Sequence, residues 1–155
     1  MASPDVELRA ELLEKTQWAN EFGFGEIERL AAYMQSRHLE RGRLLFREGD
    51  RDATLFVIAS GKVGIIKAGA NHHDHPIATL GPGHTIGEMA LVDGQPRSAG
   101  AVAVEDVVLL VVTRADLDRL TDEHPRLAVK LLLKVGRLLS QRLRQTTSNL
   151  ADRLG

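Results

Sequence analysis

Gly87-Glu88-Met89-Ala90-Leu91-Val92-Asp93-Gly94-Gln95-Pro96-Arg97-Ser98-Ala99 is the stretch on which the reading of this chain turns. It places a Gly-Glu pair at the mouth of a very short helix, then a turn containing Gly94 and Pro96, then an arginine followed by two small residues. A helix mouth offers unpaired backbone N–H groups and partial positive charge to an anion. Arg97 adds a full charge and a planar fork that pairs two oxygens of a phosphate. Glu88 repels phosphate, and its presence makes sense if the ligand also offers a hydroxyl donor on the far side from the phosphate, as a ribose does. Gly87 and Ala99 are small where backbone must come close to the anion.

Upstream of this stretch the chain reads as short strands separated by turns. Arg41-Gly42, Glu48-Gly49-Asp50, Ser60-Gly61 and Gly81-Pro82-Gly83 punctuate it, and Leu44–Phe46, Leu55–Ala59, Val63–Ile66 and Ile77–Leu80 are rich in β-formers. Ala99–Val104 and Val107–Val112 continue the pattern downstream. Many short strands predict an antiparallel β-barrel of jelly-roll type, interrupted by a helix only at residues 88–93. Thr113 then reads as an N-cap with Asp116 in the capping-box position, and His124-Pro125 ends one helix and opens another. Ala128, Leu131, Leu132, Val135, Leu139, Leu143, Thr146 and Leu150 recur at intervals of three and four, which predicts a long helix from about Arg126. Its Arg126, Lys130, Lys134, Arg137, Arg142, Arg144 and Arg153 read as a solvated basic face.

Before the strands, residues 5–34 read as a helical lead-in with two stripes: Leu8, Leu12 and Leu13, then Ile27, Leu30, Ala31 and Met34. Gly23 and Gly25 predict a bend between them, with Trp18, Phe22 and Phe24 plugging the gap against the body of the domain. The expected fold is α+β, a single domain over 1–155: lead-in 1–35, barrel 36–112, C-terminal helices 113–155.

The whole-chain properties bound the function. The 155 residues carry a net charge of −1, which predicts no general attraction to nucleic acid or an anionic membrane. Cysteine is absent, which removes disulfides, thiolate chemistry and cysteine zinc sites. The start, Met1-Ala2-Ser3-Pro4-Asp5, lacks the basic and apolar regions of a signal peptide, so a cytoplasmic location is expected. The longest apolar run, Val107–Val112, suits a buried strand.

Gly87-Glu88, Ala90-Leu91 and Pro96-Arg97-Ser98-Ala99 resemble the phosphate-binding cassette of cyclic nucleotide-binding domains, including those of bacterial cAMP receptor proteins. The resemblance spans most of the chain. It implies that Arg97 pairs with the exocyclic oxygens of a cyclic phosphate and that Glu88 accepts from the ribose 2′-hydroxyl. Backbone N–H groups near Met89, Ala90 and Ser98 complete the cradle. Ile65, Ile77 and Ala78 supply an apolar wall for the purine, and Arg142, Thr146 and Thr147 reach it from the long helix. The implied ligand is cAMP, with cGMP possible, since the Ser98 hydroxyl also serves a syn guanine. In this reading the long helix closes over the base, pairs two subunits as a homodimer, and passes the signal to an effector protein or a missing effector domain. The DNA-reading helices of the receptors would follow the long helix, and the sequence stops at Gly155, so direct DNA binding is not expected.

Two other classes compete. Asn71-His72-His73-Asp74-His75 is an imidazole cluster in which His73 and His75 could face one metal, as in a cupin. No acidic residue occurs from Pro76 through Pro82, where a cupin needs one, so a hairpin tip is the preferred reading and no metal is expected. An interaction module with a non-binding pocket is the other. Gly81-x-Gly83-x-x-x-Gly87 misses dinucleotide spacing, and no Ser-His-Asp or paired-carboxylate set suggests an enzyme.

Overall fold

The computed structural model describes residues 3–67 and 76–154. Among the described residues, eight strands form two antiparallel sheets. One has the order β1 (Gln35–Leu39), β8 (Val107–Thr113), β3 (Thr54–Ser60), β6 (Thr85–Ile86). The other runs β2 (Leu44–Phe46), β7 (Gly100–Ala103), β4 (Val63–Ile66), β5 (Ala78–Leu80). The expected barrel is therefore two sheets sharing a core, jelly-roll-like but not one closed cylinder.

Alternation along the central strands builds two cores from one sheet. Phe56 and Ile58 of β3, with Val107, Leu109 and Val111 of β8, face Phe46, Val63, Ala101 and Ala103 of the other sheet. Leu55, Val57 and Ala59 point the opposite way, with Leu110 and Val112, into a second core made with the helices. Both faces of β3 and β8 are thus buried. That is why Val107–Val112 reads as an unbroken apolar run.

The lead-in comprises α1 (Pro4–Glu14), a 3₁₀ turn (Gln17–Asn20) and α2 (Phe24–Ala32). Trp18 and Phe22 stack at 5.7 Å and are buried as expected, and the indole Nε1 donates to the Gly83 carbonyl at 2.8 Å. Phe24 departs from the expectation: it begins α2 and is 69% exposed. Gly25 lies inside that helix, so the bend falls before it, where the Gly23 N–H donates to Glu26 at 2.9 Å. Leu8 also points outward, leaving Leu13 and Ala10 to seat α1.

Thr113 caps α4 (Arg114–Glu123) as predicted, its hydroxyl accepting from the Asp116 N–H at 3.1 Å while Asp116 accepts from the Thr113 N–H at 3.0 Å. Such a box contributes about 1 kcal/mol. Helix α5 (Pro125–Leu154) buries Leu127, Ala128, Leu131 and Val135 in the second core, and Lys134 and Lys130 anchor it to Glu21 and Glu26 at 2.6 and 2.7 Å. Truncating Leu131, which is almost wholly buried, would cost about 2–5 kcal/mol and loosen the helix. Beyond Val135 the predicted stripe comes progressively to the surface: Leu139 is half-buried, whereas Leu143 and Leu150 are exposed. No helix of the described residues is long and apolar enough to cross a membrane.

Candidate functional site

The short helix α3 (Glu88–Asp93) interrupts the sheet where predicted. Gly87 turns the chain out of β6 at φ 79°, and Gly94 ends the helix at φ 67°, its N–H donating to the Ala90 carbonyl at 2.9 Å. These are left-handed positions that only glycine adopts without strain. The next residues return to the second sheet, and two backbone bonds of 2.8 Å pin Arg97 there: its N–H to the Asp50 carbonyl, its carbonyl from the Gly49 N–H. Lys67 secures the following residue by donating to the Ser98 carbonyl and to Glu48, both at 2.6 Å.

This fold-back brings Glu88 and Arg97 to one cleft of about 670 Å³. Both are buried, at 3% and 4% exposure. The Arg97 guanidinium donates to the Thr54 carbonyl at 2.8 Å, to the Gly87 carbonyl at 3.0 Å and to Asp52. It stacks over the Phe46 ring at 4.3 Å, which gives the cation an attractive face in a dry setting. Glu88 pairs with Arg142, which reaches in from α5 and also donates to the Thr85 carbonyl. Burial pushes the Glu88 carboxyl above the usual range, and the Arg142 and Arg97 charges offset that only in part.

Most of the expected site residues gather here. Gly87, Glu88, Met89, Ala90, Arg97, Ser98 and Ala99 line the cleft on the α3 side, and Ile65, Ile77 and Ala78 form its apolar wall. Arg142 and Thr146 line it from α5, and the Thr146 hydroxyl donates to the Arg142 carbonyl at 2.9 Å. Thr147 is exposed and is not brought to the cleft. The His72–His75 cluster lies outside the described residues. Among the described residues no group of three or more His, Cys, Asp and Glu could hold a metal.

Sequence reasoning missed several neighbours. Asp52 has no motif around it and becomes relevant only because the β2–β3 turn folds against Arg97. Thr85, fully buried with an unpartnered Oγ1 among the described residues, forms part of the lining. Gln145 and Asn149 also face the cleft. Helical spacing from Arg142 was available as a signal for them, since positions three, four and seven residues on share its face.

Fold and cleft together define a jelly-roll-type domain whose cleft brings a buried arginine and a buried glutamate beside an apolar wall. A model of the cyclic nucleotide-binding domain matches residues 36–124, and the chain belongs to that family. It is 38% identical over 120 residues to the cyclic AMP receptor protein of Thermus thermophilus, covering 77% of this chain and 54% of that protein. A CRP-like cAMP-activated global transcriptional regulator of Mycobacterium tuberculosis is 31% identical over 126 residues, covering 81% and 54%. The crystal structure of a cyclic nucleotide-binding domain from Methylobacillus flagellatus superposes with a TM-score of 0.80 at 33% identity, covering 96% of this chain and 83% of that one. The chain spans about half the length of the curated relatives it matches.

Proposed function

We propose that this domain senses cAMP. The observation that carries the reading is the convergence of two buried charges, Arg97 and Glu88, on a cleft with an apolar wall and a helical rim. The cyclic phosphate docks on Arg97 and the ribose 2′-hydroxyl donates to Glu88. The purine lies against Ile65, Ile77 and Ala78. The receptor names of the two relatives support adenine over guanine.

Binding changes the contacts of α5, because Glu88 is shared between Arg142 and the ribose. A ligand that engages the cleft differently in two α5 positions shifts the population between them. The nucleotide leaves unchanged in this reading, which is that of a cytoplasmic sensor and not an enzyme. Exposed Val129, Leu132 and Leu133 on α5 support a homodimer through that helix, and an effector protein or attached domain receives the motion.

Calorimetric titration of nucleotide-free protein with cAMP and cGMP tests the reading, with the recovered nucleotide checked for integrity. Tight cAMP binding, weaker cGMP binding and intact ligand are expected. No heat with either nucleotide, in protein verified as folded and empty, would refute it. One observation favours a second reading, an interaction module: Arg97 and Glu88 already have protein partners in Asp52 and Arg142. That reading predicts the null titration.

A further inference from the structure

We propose that Phe46 is a positioning residue whose ring holds the Arg97 guanidinium in the orientation that meets the phosphate, an inference that rests on the sensor reading above. Phe46 lines the cleft and is itself 7% exposed. The Arg97 Cζ lies 4.3 Å from the centroid of its ring and 5.8 Å from that of Phe56. Phe56 backs Phe46 at 6.1 Å between centroids, with 30° between the ring planes. Both aromatics belong to the core between the two sheets, so β2 and β3 anchor the surface on which the guanidinium rests.

A guanidinium carries all its donors in its own plane, whereas an aromatic ring attracts it over the ring face. The ring therefore restrains Arg97 without using a donor. The two Nη groups donate to Gly87, Thr54 and Asp52, and the buried Nε has no partner among the described residues. The direction of that remaining N–H follows the guanidinium plane, and the ring is what sets the plane. It also leaves the charge intact. A buried carboxylate at the same place would neutralise the cation the phosphate needs, whereas the ring quadrupole attracts it and adds no charge. Asp52 is 44% exposed and so neutralises Arg97 only weakly. Without the ring, the side chain has to be ordered when the ligand arrives, and that cost is taken from the affinity.

The test replaces Phe46 by site-specific incorporation with mono-, di- and trifluorinated phenylalanine, and by mutation with leucine. Ring fluorines withdraw electron density from the face while keeping an apolar ring of nearly the same shape, so they weaken the hold on a cation and spare the packing. Each protein is titrated with cAMP at a temperature where a thermal scan shows it folded. Affinity should fall stepwise with each fluorine, and Phe46→Leu should bind about 2- to 13-fold more weakly than wild type, the cost of ordering one long side chain. A flat fluorine series, or a loss confined to leucine, would reduce Phe46 to core packing and overturn the proposal while leaving the sensor reading standing. A series in which the thermal midpoint falls stepwise but the affinity does not would overturn it too. Failure of the wild type to bind cAMP would overturn both.

Discussion

Replacing Arg97 with glutamine separates two duties that the structure gives to one side chain. The guanidinium is the counter-charge proposed for the cyclic phosphate, and it also bridges the Gly87 and Thr54 carbonyls across the mouth of the cleft. Glutamine keeps an amide donor for one carbonyl and loses the charge. On the binding side, a buried phosphate without its partner costs about 2–5 kcal/mol, a loss of roughly 30- to 5,000-fold in affinity. On the stability side, one buried carbonyl loses its donor at about 1–3 kcal/mol, and the stacking on Phe46 contributes about 0.5–2 kcal/mol more. The bond to Asp52 adds little, because that carboxylate is 44% exposed. The sum is about 1.5–5 kcal/mol of unfolding free energy, which in a domain of this size lowers Tm by roughly 3–20 °C. Titration with cAMP at a temperature where the variant remains folded, alongside a thermal scan, reads both effects. If stability falls as calculated but cAMP affinity stays within threefold of wild type, Arg97 is a structural peg and the assignment of the phosphate to it is wrong.

Four further outcomes are expected. A Cβ at Gly87 would lie 2.0 Å from the Arg97 Nη1 and 2.8 Å from the Thr54 carbonyl, whereas at Gly94 it meets nothing within 4 Å. Gly87→Ala should therefore weaken both cAMP binding and the denaturant midpoint, and Gly94→Ala should cost only the backbone strain of about 1 kcal/mol; equal losses would contradict this. Asp52→Asn frees the guanidinium from a competitor and should tighten cAMP binding about two- to fivefold, less so at high salt; weaker binding would make Asp52 a positioning residue instead. Burial, with Arg142 and Lys134 facing it, holds the His84 imidazole below its ordinary value of 6.5. The unfolded chain thus takes up this proton first, so stability is full above pH 6.5 and falls as pH drops from 6.5 through the lower folded value. His84→Gln should flatten that slope in urea titrations run at successive pH values. Gly136 lies within α5 with open space around it, and Gly136→Ala should raise stability by about 1 kcal/mol, or 2–4 °C in Tm; a lower Tm would contradict that.

The elements legible in the sequence were those whose signal is local. Leu44–Phe46 and Val63–Ile66 match their strands end to end, and the Thr113 capping box is present as drawn. Strand β1 carries no local strand signal, because four of its five residues, Gln35 to His38, are exposed and polar. Its strand character comes from pairing with β8, a partner some 70 residues away that no local pattern reports. Strand β6, two residues long, is likewise held by Phe56 and Val57. Phe24 reads as a core aromatic by hydrophobicity alone, yet as the first residue of α2 it faces outward. At the site, the anion-facing residues were readable because glycines and an arginine at fixed spacing dictate a backbone path. The α5 residues were less so. Counted round the helix from Arg142, Thr147 lies about 140° away, whereas Gln145, Thr146 and Asn149 lie within about 60° of it. Helical geometry pairs Thr146 with Gln145 and Asn149 instead.

Helix α5 has a mechanical consequence. Its first ten or so residues are clamped in the core as far as Val135, Leu138 and Leu139 pack partly against that core, Arg137 pairs with Glu21, and Arg142 reaches Glu88 and Thr85 further out. Gly136 stands at the boundary, where the helix is least resistant to bending. From there to Leu154 the overhang is roughly 27 Å long at 1.5 Å per residue. A tilt of about 10° at that fulcrum displaces the far end by about 5 Å while moving Arg142, six residues out, by less than about 2 Å. A sub-contact adjustment at the cleft is thereby magnified about threefold at the end of the rod.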